Sequence, residues 1–173
     1  MSEVLYNRVG DGLRFWNETE IKARNRICDQ IKETIQNTLT GVNQAWVFQQ
    51  VDTPLIMPRD MMNASYEDDD IFALNAVMGD RDMALRAETT NGSYLMAVNI
   101  LRTTKTKLPL CVWQLGQSFR RETSDGATAA KLRFNAFYQL EFQCIFSADT
   151  MADYASMVRN ELEILVGKIT GLP

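Results

Sequence analysis

Two stretches of the chain alternate so regularly that they leave little choice of local structure. From Leu110 to Glu122, Cys111, Trp113, Leu115 and Phe119 fall on one side of an extended chain, and Gln114, Gly116, Ser118, Arg120 and Glu122 on the other. After a loop from Thr123 to Leu132 containing Asp125-Gly126, the alternation resumes. Phe134, Ala136, Tyr138, Leu140 and Phe142 then oppose Arg133, Asn135, Phe137, Gln139, Glu141 and Gln143. Successive side chains of a strand point to opposite faces, so the pattern predicts a two-faced antiparallel hairpin. One face belongs to a core, and the polar face is expected to be open.

Helical patterns flank the hairpin. Ile27, Cys28, Ile31, Ile35 and Leu39 recur at three- and four-residue steps, Asn17 and Glu20 are spaced as a capping box, and Gly41-Val42-Asn43 would end the helix. Tyr154, Met157, Val158, Leu162, Leu165 and Val166 mark a second helix between Thr150 and Lys168, and Ser93 to Arg102 a third, with Tyr94, Val98 and Leu101 on one side. Ala45 to Val51 reads as a strand that becomes irregular at Pro54 and Pro58, which suits an edge. Ile71 to Met78 is short and apolar, and Met83 to Thr89 alternates as a strand. The order predicts an α+β fold, an antiparallel β-sheet flanked by helices, as one domain over residues 1–173.

Composition narrows the chemistry. With no histidine, triads and histidine bases are excluded, and carboxylates, lysines and arginines remain. Cys28, Cys111 and Cys144 are too far apart for zinc-ligand spacing or a disulfide framework. A net charge of -4 argues against a broad basic surface, so a tRNA partner is not supported by charge. No segment has membrane-spanning length and the start has no signal-like apolar run, so no membrane partner and a cytoplasmic location are expected. The acidic run Glu67 to Asp70 reads as a solvated loop or helix start.

On the polar face of the hairpin, Arg120, Glu122, Arg133, Phe137, Gln139 and Glu141 come within cross-strand distance. Guanidinium groups fork onto phosphate oxygens, a ring stacks on a base and a carboxylate accepts from an exocyclic amine, so the set suits a nucleotide. A wet hairpin face would also carry charges, and Arg120 with Glu141 would then be a weak surface ion pair.

Phe119-Arg120-Arg121-Glu122, the loop, and then Arg133-Phe134-Asn135-Ala136-Phe137 resemble the second signature of class II aminoacyl-tRNA synthetases. Phe48-Gln49-Gln50-Val51-Asp52-Thr53-Pro54-Leu55-Ile56 resembles the first signature, with Val47 where a glycine usually leads. Leu85-Arg86-Ala87-Glu88-Thr89-Thr90-Asn91-Gly92 resembles the Leu-Arg-Pro-Glu-Thr-Ala-Gln-Gly run of glycyl-tRNA synthetases. The resemblance runs from about residue 12 to 168 and is closest to the glycyl, threonyl and prolyl branch. A glycine-rich third signature and an anticodon-binding domain are not found in it.

The resemblance implies ATP, with Mg2+, on Arg120, Glu122, Arg133 and Phe137: Arg120 at the α-phosphate and substrate carboxylate, Glu122 at the adenine amine, Arg133 at the γ-phosphate and Phe137 stacked on adenine. Arg120 would also be the catalytic group. It implies a small, glycine-like amino acid held by Glu88 and Glu141, with Arg86 and Gln139 beside them, and a homodimer through Phe48, Val51 and Pro54. Thr90 and Asn91 replace Ala and Gln, and Ala87 replaces Pro. Three functions accommodate these residues: a compact protein forming an aminoacyl-adenylate, a non-catalytic interaction module of the polymerase accessory subunit type, and a fragment of a longer glycyl-tRNA synthetase.

Overall fold

The computed structural model describes residues 14–62, 65–122, 133–150 and 152–171, the side chains of Ala76 and Val77 excepted. The start of the resemblance and the Asp125-Gly126 loop lie outside the described residues. In chain order the elements are α1 (Glu18–Val42), β1 (Val47–Gln50), β2 (Ile56–Pro58), β3 (Ala73–Met78), β4 (Arg81–Leu85), α2 (Thr90–Thr103), β5 (Leu110–Phe119), β6 (Ala136–Ile145) and α3 (Tyr154–Thr170). They form two three-stranded sheets, ordered β1-β5-β6 and β2-β4-β3. The chain gathers into two compact units, one of Met1–Trp16, Val51–Met96 and Gln114–Glu141, the other of Asn17–Gln50, Ala97–Trp113 and Phe142–Pro173. Strands β5 and β6 pass through both.

In the second unit, α1 begins at the expected box: Asn17 Oδ1 accepts from the Glu20 amide at 3.0 Å, and Glu20 Oε2 accepts from the Asn17 amide at 2.9 Å. It ends with the Asn43 N–H on the Leu39 carbonyl. Helix α3 starts at Asp153, whose carboxylate accepts from the Ser156 amide, and stops at Gly171 in the left-handed region, φ 68°. Ile35 and Leu39 of α1, Tyr154 of α3, Trp46 and Cys111 form the core, with Ile31, Phe48, Phe142, Cys144, Val158 and Leu162 packed against it.

Cross-strand contacts show that β5 and β6 run antiparallel. Cys111 meets Cys144 with sulfurs 3.5 Å apart, Trp113 stacks on Phe142, and Ser118 donates to Gln139, so one number falls as the other rises. The edge strand β1 departs from the antiparallel expectation: it pairs with β5 in parallel, from Val47 opposite Leu110 to Gln50 opposite Trp113. The sheet is therefore mixed.

In the first unit, the Pro54 to Pro58 stretch supplies a separate strand, β2, antiparallel to β4. The strand expected from Met83 to Thr89 ends at Leu85, and Arg86 keeps the β2 register through its amide while its carbonyl goes over to β5. Its amide donates to the Leu55 carbonyl and its carbonyl accepts from the Phe119 amide, both at 2.9 Å. The remaining residues to Thr89 are thereby free of the ladder.

The expected open polar face of β5 is a buried one. Gln114, Gly116 and Ser118 are buried, while Trp113, Leu115, Gln117 and Phe119 are only half-buried. Polar partners explain the reversal. Gln114 Nε2 donates to Thr53 Oγ1 at 3.1 Å, the Thr89 carbonyl at 3.1 Å and Ser93 Oγ at 2.9 Å. Arg86, only 1% exposed, donates through Nε to the Gln117 carbonyl at 2.7 Å and through Nη1 to the Thr53 carbonyl at 2.5 Å and Thr53 Oγ1 at 2.8 Å. Hydrogen bonds offset the cost of burying these groups, which would otherwise be prohibitive.

Small residues permit this closeness. A Cβ at Gly116 would lie 2.4 Å from Arg86 Nη2, and one at Gly92 would lie 2.7 Å from Thr53 Cβ. Helix α2 likewise buries Gly92, Ser93, Ala97 and Ile100, whereas Tyr94 and Val98 face outward at 48% and 42% exposure. The side predicted from its larger apolar residues is the exposed one.

Three stability predictions follow. Gly116→Ala should destabilise by about 1–3 kcal/mol, because the new methyl displaces a buried guanidinium, whereas Gly41→Ala, with nothing within 4 Å of the added Cβ, should be neutral or stabilising. Asn17→Ala should cost about 1 kcal/mol through loss of the box. Urea unfolding followed by circular dichroism measures all three.

Candidate functional site

The site is built where β5 ends. Beyond Phe119 the Arg120 amide donates to the Asn135 carbonyl at 3.0 Å, the Arg121 amide to the Asp70 carbonyl at 2.9 Å and the Glu122 amide to Asn135 Oδ1 at 2.7 Å. These bonds hold the Arg120 backbone after the ladder has stopped. Its guanidinium carbon lies 5.1 Å from the Tyr66 ring centroid and 5.2 Å from that of Phe137. Nη2 donates to the Tyr66 hydroxyl at 2.8 Å and Nε to the Ala87 carbonyl at 3.3 Å. A guanidinium has five N–H donors, so these two tethers leave it able to fork onto an oxyanion.

Tyr66 extends the contact to the next acid: its hydroxyl donates to Glu88 Oε2 at 2.9 Å. Burial, followed by the hydrogen bond to the Glu88 carboxylate and its charge, pushes the Tyr66 phenol above its ordinary pKa, against the lowering effect of Arg120. The sequence pattern did not single out Tyr66. It lies in an irregular segment before the acidic run, where no periodicity could mark it.

Glu141 and Gln139 project from β6 onto the same side as Ser118. The Glu141 carboxylate accepts from the hydroxyls of Thr89 and Thr90, and Gln139 Oε1 accepts from Ser118. Thus Glu141 is held by the run that carries Glu88. Arg86 lies inside the buried network. Burial lowers its pKa, opposed by the charges of Asp52 and Glu141.

Glu122 and Arg133 lie past the strand ends rather than on them. Arg133 Nη1 is 3.3 Å from Glu122 Oε2, with Arg133 62% and Glu122 22% exposed. The structure therefore brings the four expected nucleotide residues together as two touching pairs, Arg120 with Phe137 and Glu122 with Arg133.

In the first-signature stretch, Val51 is buried and Phe48 packs on its own core, whereas Pro54, Leu55 and Ile56 are exposed. A cavity of about 480 Å³ lies among Asp52, Pro54, Leu55, Arg86, Gln117 and Tyr138. Among the described residues, no group of three or more His, Cys, Asp or Glu side chains could hold a metal ion, and no helix is long and apolar enough to cross a membrane.

Residues 72–169 match the tRNA synthetase class II core domain family (G, H, P, S and T), more than half of the chain. The glycine–tRNA ligase of Mesoplasma florum is 34% identical over 79 residues, which are 46% of this chain and 17% of that ligase. The glycine–tRNA ligase of Alkaliphilus oremlandii is 36% identical over 63 residues, 36% of this chain and 14% of the ligase. The matched stretches thus span less than a fifth of these relatives' length.

Among solved structures, the RNA binding domain of threonyl-tRNA synthetase from Cryptosporidium parvum Iowa II aligns with a TM-score of 0.67 at 17% identity, covering 93% of this chain and 38% of that one. An ATP phosphoribosyltransferase regulatory subunit/histidyl-tRNA synthetase from Bacillus halodurans C aligns at 0.64 and 19% identity, covering 92% and 38%. These two likenesses speak for the fold alone. Because the family match runs from β3 through nearly all of α3 and takes in the whole β5–β6 pair, the chain belongs to the class II aminoacyl-tRNA synthetase core-domain family.

Proposed function

We propose that this chain carries the ATP and amino-acid platform of a glycyl-type synthetase and supports formation of an aminoacyl-adenylate. The observation that carries the reading is the position of Arg120, set between the Tyr66 and Phe137 rings and one hydroxyl away from Glu88. A guanidinium there can bind both an α-phosphate and a substrate carboxylate. In the proposed reaction a carboxylate oxygen forms a bond to the α-phosphorus while the bond to pyrophosphate breaks. The protein would contribute position and charge stabilisation.

Phe137 would stack on adenine, Glu122 would accept from its amine and Arg133 would meet the γ-phosphate. Glu88 and Glu141 would face the ammonium group, with Gln139 beside them and Arg86 acting from within the fold to hold the Thr53 and Gln117 backbones. Magnesium would enter on the nucleotide's own phosphates, since the described residues offer no three-ligand metal cluster. Glycine is the favoured amino acid because the curated relatives above are glycine–tRNA ligases. Exposed Pro54, Leu55 and Ile56 favour a homodimer through this segment, in a single synthetase core located in the cytoplasm, with tRNA contacts supplied from beyond this acidic chain.

A second reading, a non-catalytic interaction module, is favoured by one observation: Glu122 and Arg133 already satisfy each other as an ion pair. Calorimetric titration with magnesium-ATP separates the two. Binding that Arg120→Ala weakens by roughly ten- to a hundredfold, as loss of a charge-assisted hydrogen bond predicts, supports the adenylate reading. Undetectable binding at millimolar ATP supports the module. On gel filtration the protein should elute as a dimer and Leu55→Asp as a monomer; a monomeric parent protein would remove the interface assignment.

A further inference from the structure

Tyr66 offers its two neighbours what a ligand would offer. Its hydroxyl donates to Glu88 Oε2 at 2.9 Å, and the same oxygen accepts from Arg120 Nη2 at 2.8 Å. One atom supplies the carboxylate with a donor and the guanidinium with an acceptor. A zwitterionic α-amino acid supplies the same two partners, an ammonium N–H and a carboxylate oxygen, from adjacent groups.

We propose that the Tyr66 hydroxyl is a built-in competitor at the amino-acid subsite, and that the amino acid binds by displacing it. The inference rests on the roles given above to Glu88 and Arg120. Three observations support it. The hydroxyl occupies one donor of the guanidinium and one oxygen of the carboxylate at once, so a substrate that bridges those same two atoms must take its place. The ring has anchors of its own, since Tyr66 packs on the cluster of Met62, Ile71, Ala84 and Ala87 and lies 5.1 Å from the Arg120 guanidinium carbon. Displacement of the hydroxyl therefore does not require the ring to leave its seat. Finally, the phenol is half-buried with a raised pKa, the state expected of a hydroxyl donating to a carboxylate away from water.

The arrangement also explains selectivity by charge. A ligand with only an ammonium or only a carboxylate replaces one of the two bonds it displaces, whereas an α-amino acid replaces both with charged partners. Competition by an internal group weakens apparent affinity by the fraction of molecules in which the group has moved aside.

The test is glycine titration of the parent protein and of Tyr66→Phe, which keeps the ring and removes the competitor. Tyr66→Phe should bind glycine several-fold to about tenfold more tightly, while methylamine and acetate bind both proteins more weakly than glycine. Glycine binding to Tyr66→Phe that is equal to or weaker than binding to the parent, with magnesium-ATP binding intact, overturns the competitor and leaves the functional reading standing. Absence of both glycine and ATP binding in both proteins overturns the two together.

A second readout needs no variant that might misfold. In ultraviolet difference spectroscopy of the parent protein at neutral pH, saturating glycine should move the absorption of one tyrosine to shorter wavelength, because the phenol loses its carboxylate acceptor. An unchanged tyrosine spectrum in glycine that demonstrably binds overturns the proposal.

Discussion

A buried guanidinium sets the terms for the unit that carries the site. Arg86 is removed from water, and a charged group there is tolerated only when its donors are met by well-placed acceptors. The Thr53 and Gln117 carbonyls meet them, so the segment leading to β2 and the outer half of β5 are fixed to the residue that follows β4. Gln114 ties the same Thr53 to Thr89 and Ser93 at the start of α2. Three segments distant in sequence thereby share one polar core. Glu88 lies between two of its anchors, Arg86 and Thr89, and Arg120 lies just beyond Gln117 and Ser118. The network fixes the backbones that present the acid and the guanidinium. Directional bonds can hold such geometry more tightly than apolar packing, which tolerates repacking.

How much of this could be read from the sequence follows from what periodicity measures. A period of two separates the faces of β5 and β6 and puts Arg120 on the side where it meets Phe137. It does not say which face will be covered. The polar face of β5 was expected to be wet because polar side chains usually are; Gln114 and Ser118 are buried because Thr53, Thr89, Ser93 and Gln139 were available to bond them. Helix α2 reverses for a related reason: Gly92 and Ser93 allow close approach, so the bulkier Tyr94 and Val98 turn outward. Both ends of α1, the Asn17 box and the stop at Asn43, are legible because caps are local, whereas α3 begins after Asp153 rather than at Thr150. The parallel pairing of β1 and the separation of β2 into another sheet depend on partners some thirty to sixty residues away, which no local pattern encodes.

The charged groups of the site already have partners: Arg120 and Glu88 share the Tyr66 hydroxyl, Glu141 accepts from Thr89 and Thr90, and Arg133 meets Glu122. Ligand binding at such a site includes an exchange of partners. Net affinity is then a difference between two sets of hydrogen bonds, which favours ligands whose charges match several groups together. ATP and an amino acid have that character, with phosphates and a carboxylate for arginines and amines for acids.

This exchange also reconciles a nucleotide site with a chain whose net charge is -4. Screening limits exposed charges to about 8 Å at physiological salt, so a phosphate at Arg120 and Arg133 would respond to its local surroundings, the acidic run from Glu67 to Asp70 among them, more than to the net charge of the chain. That run is not neutral in its effect on the site. The Arg121 amide donates to the Asp70 carbonyl and its side chain lies 3.9 Å from Asp69, turning Arg121 away from the face where Arg120 works. Two adjacent arginines are thereby set apart, one fastened to the acidic segment and one between the Tyr66 and Phe137 rings. The alternation of β5 sets up that division, and the bonds from Asn135 and Asp70 preserve it after the strand has ended.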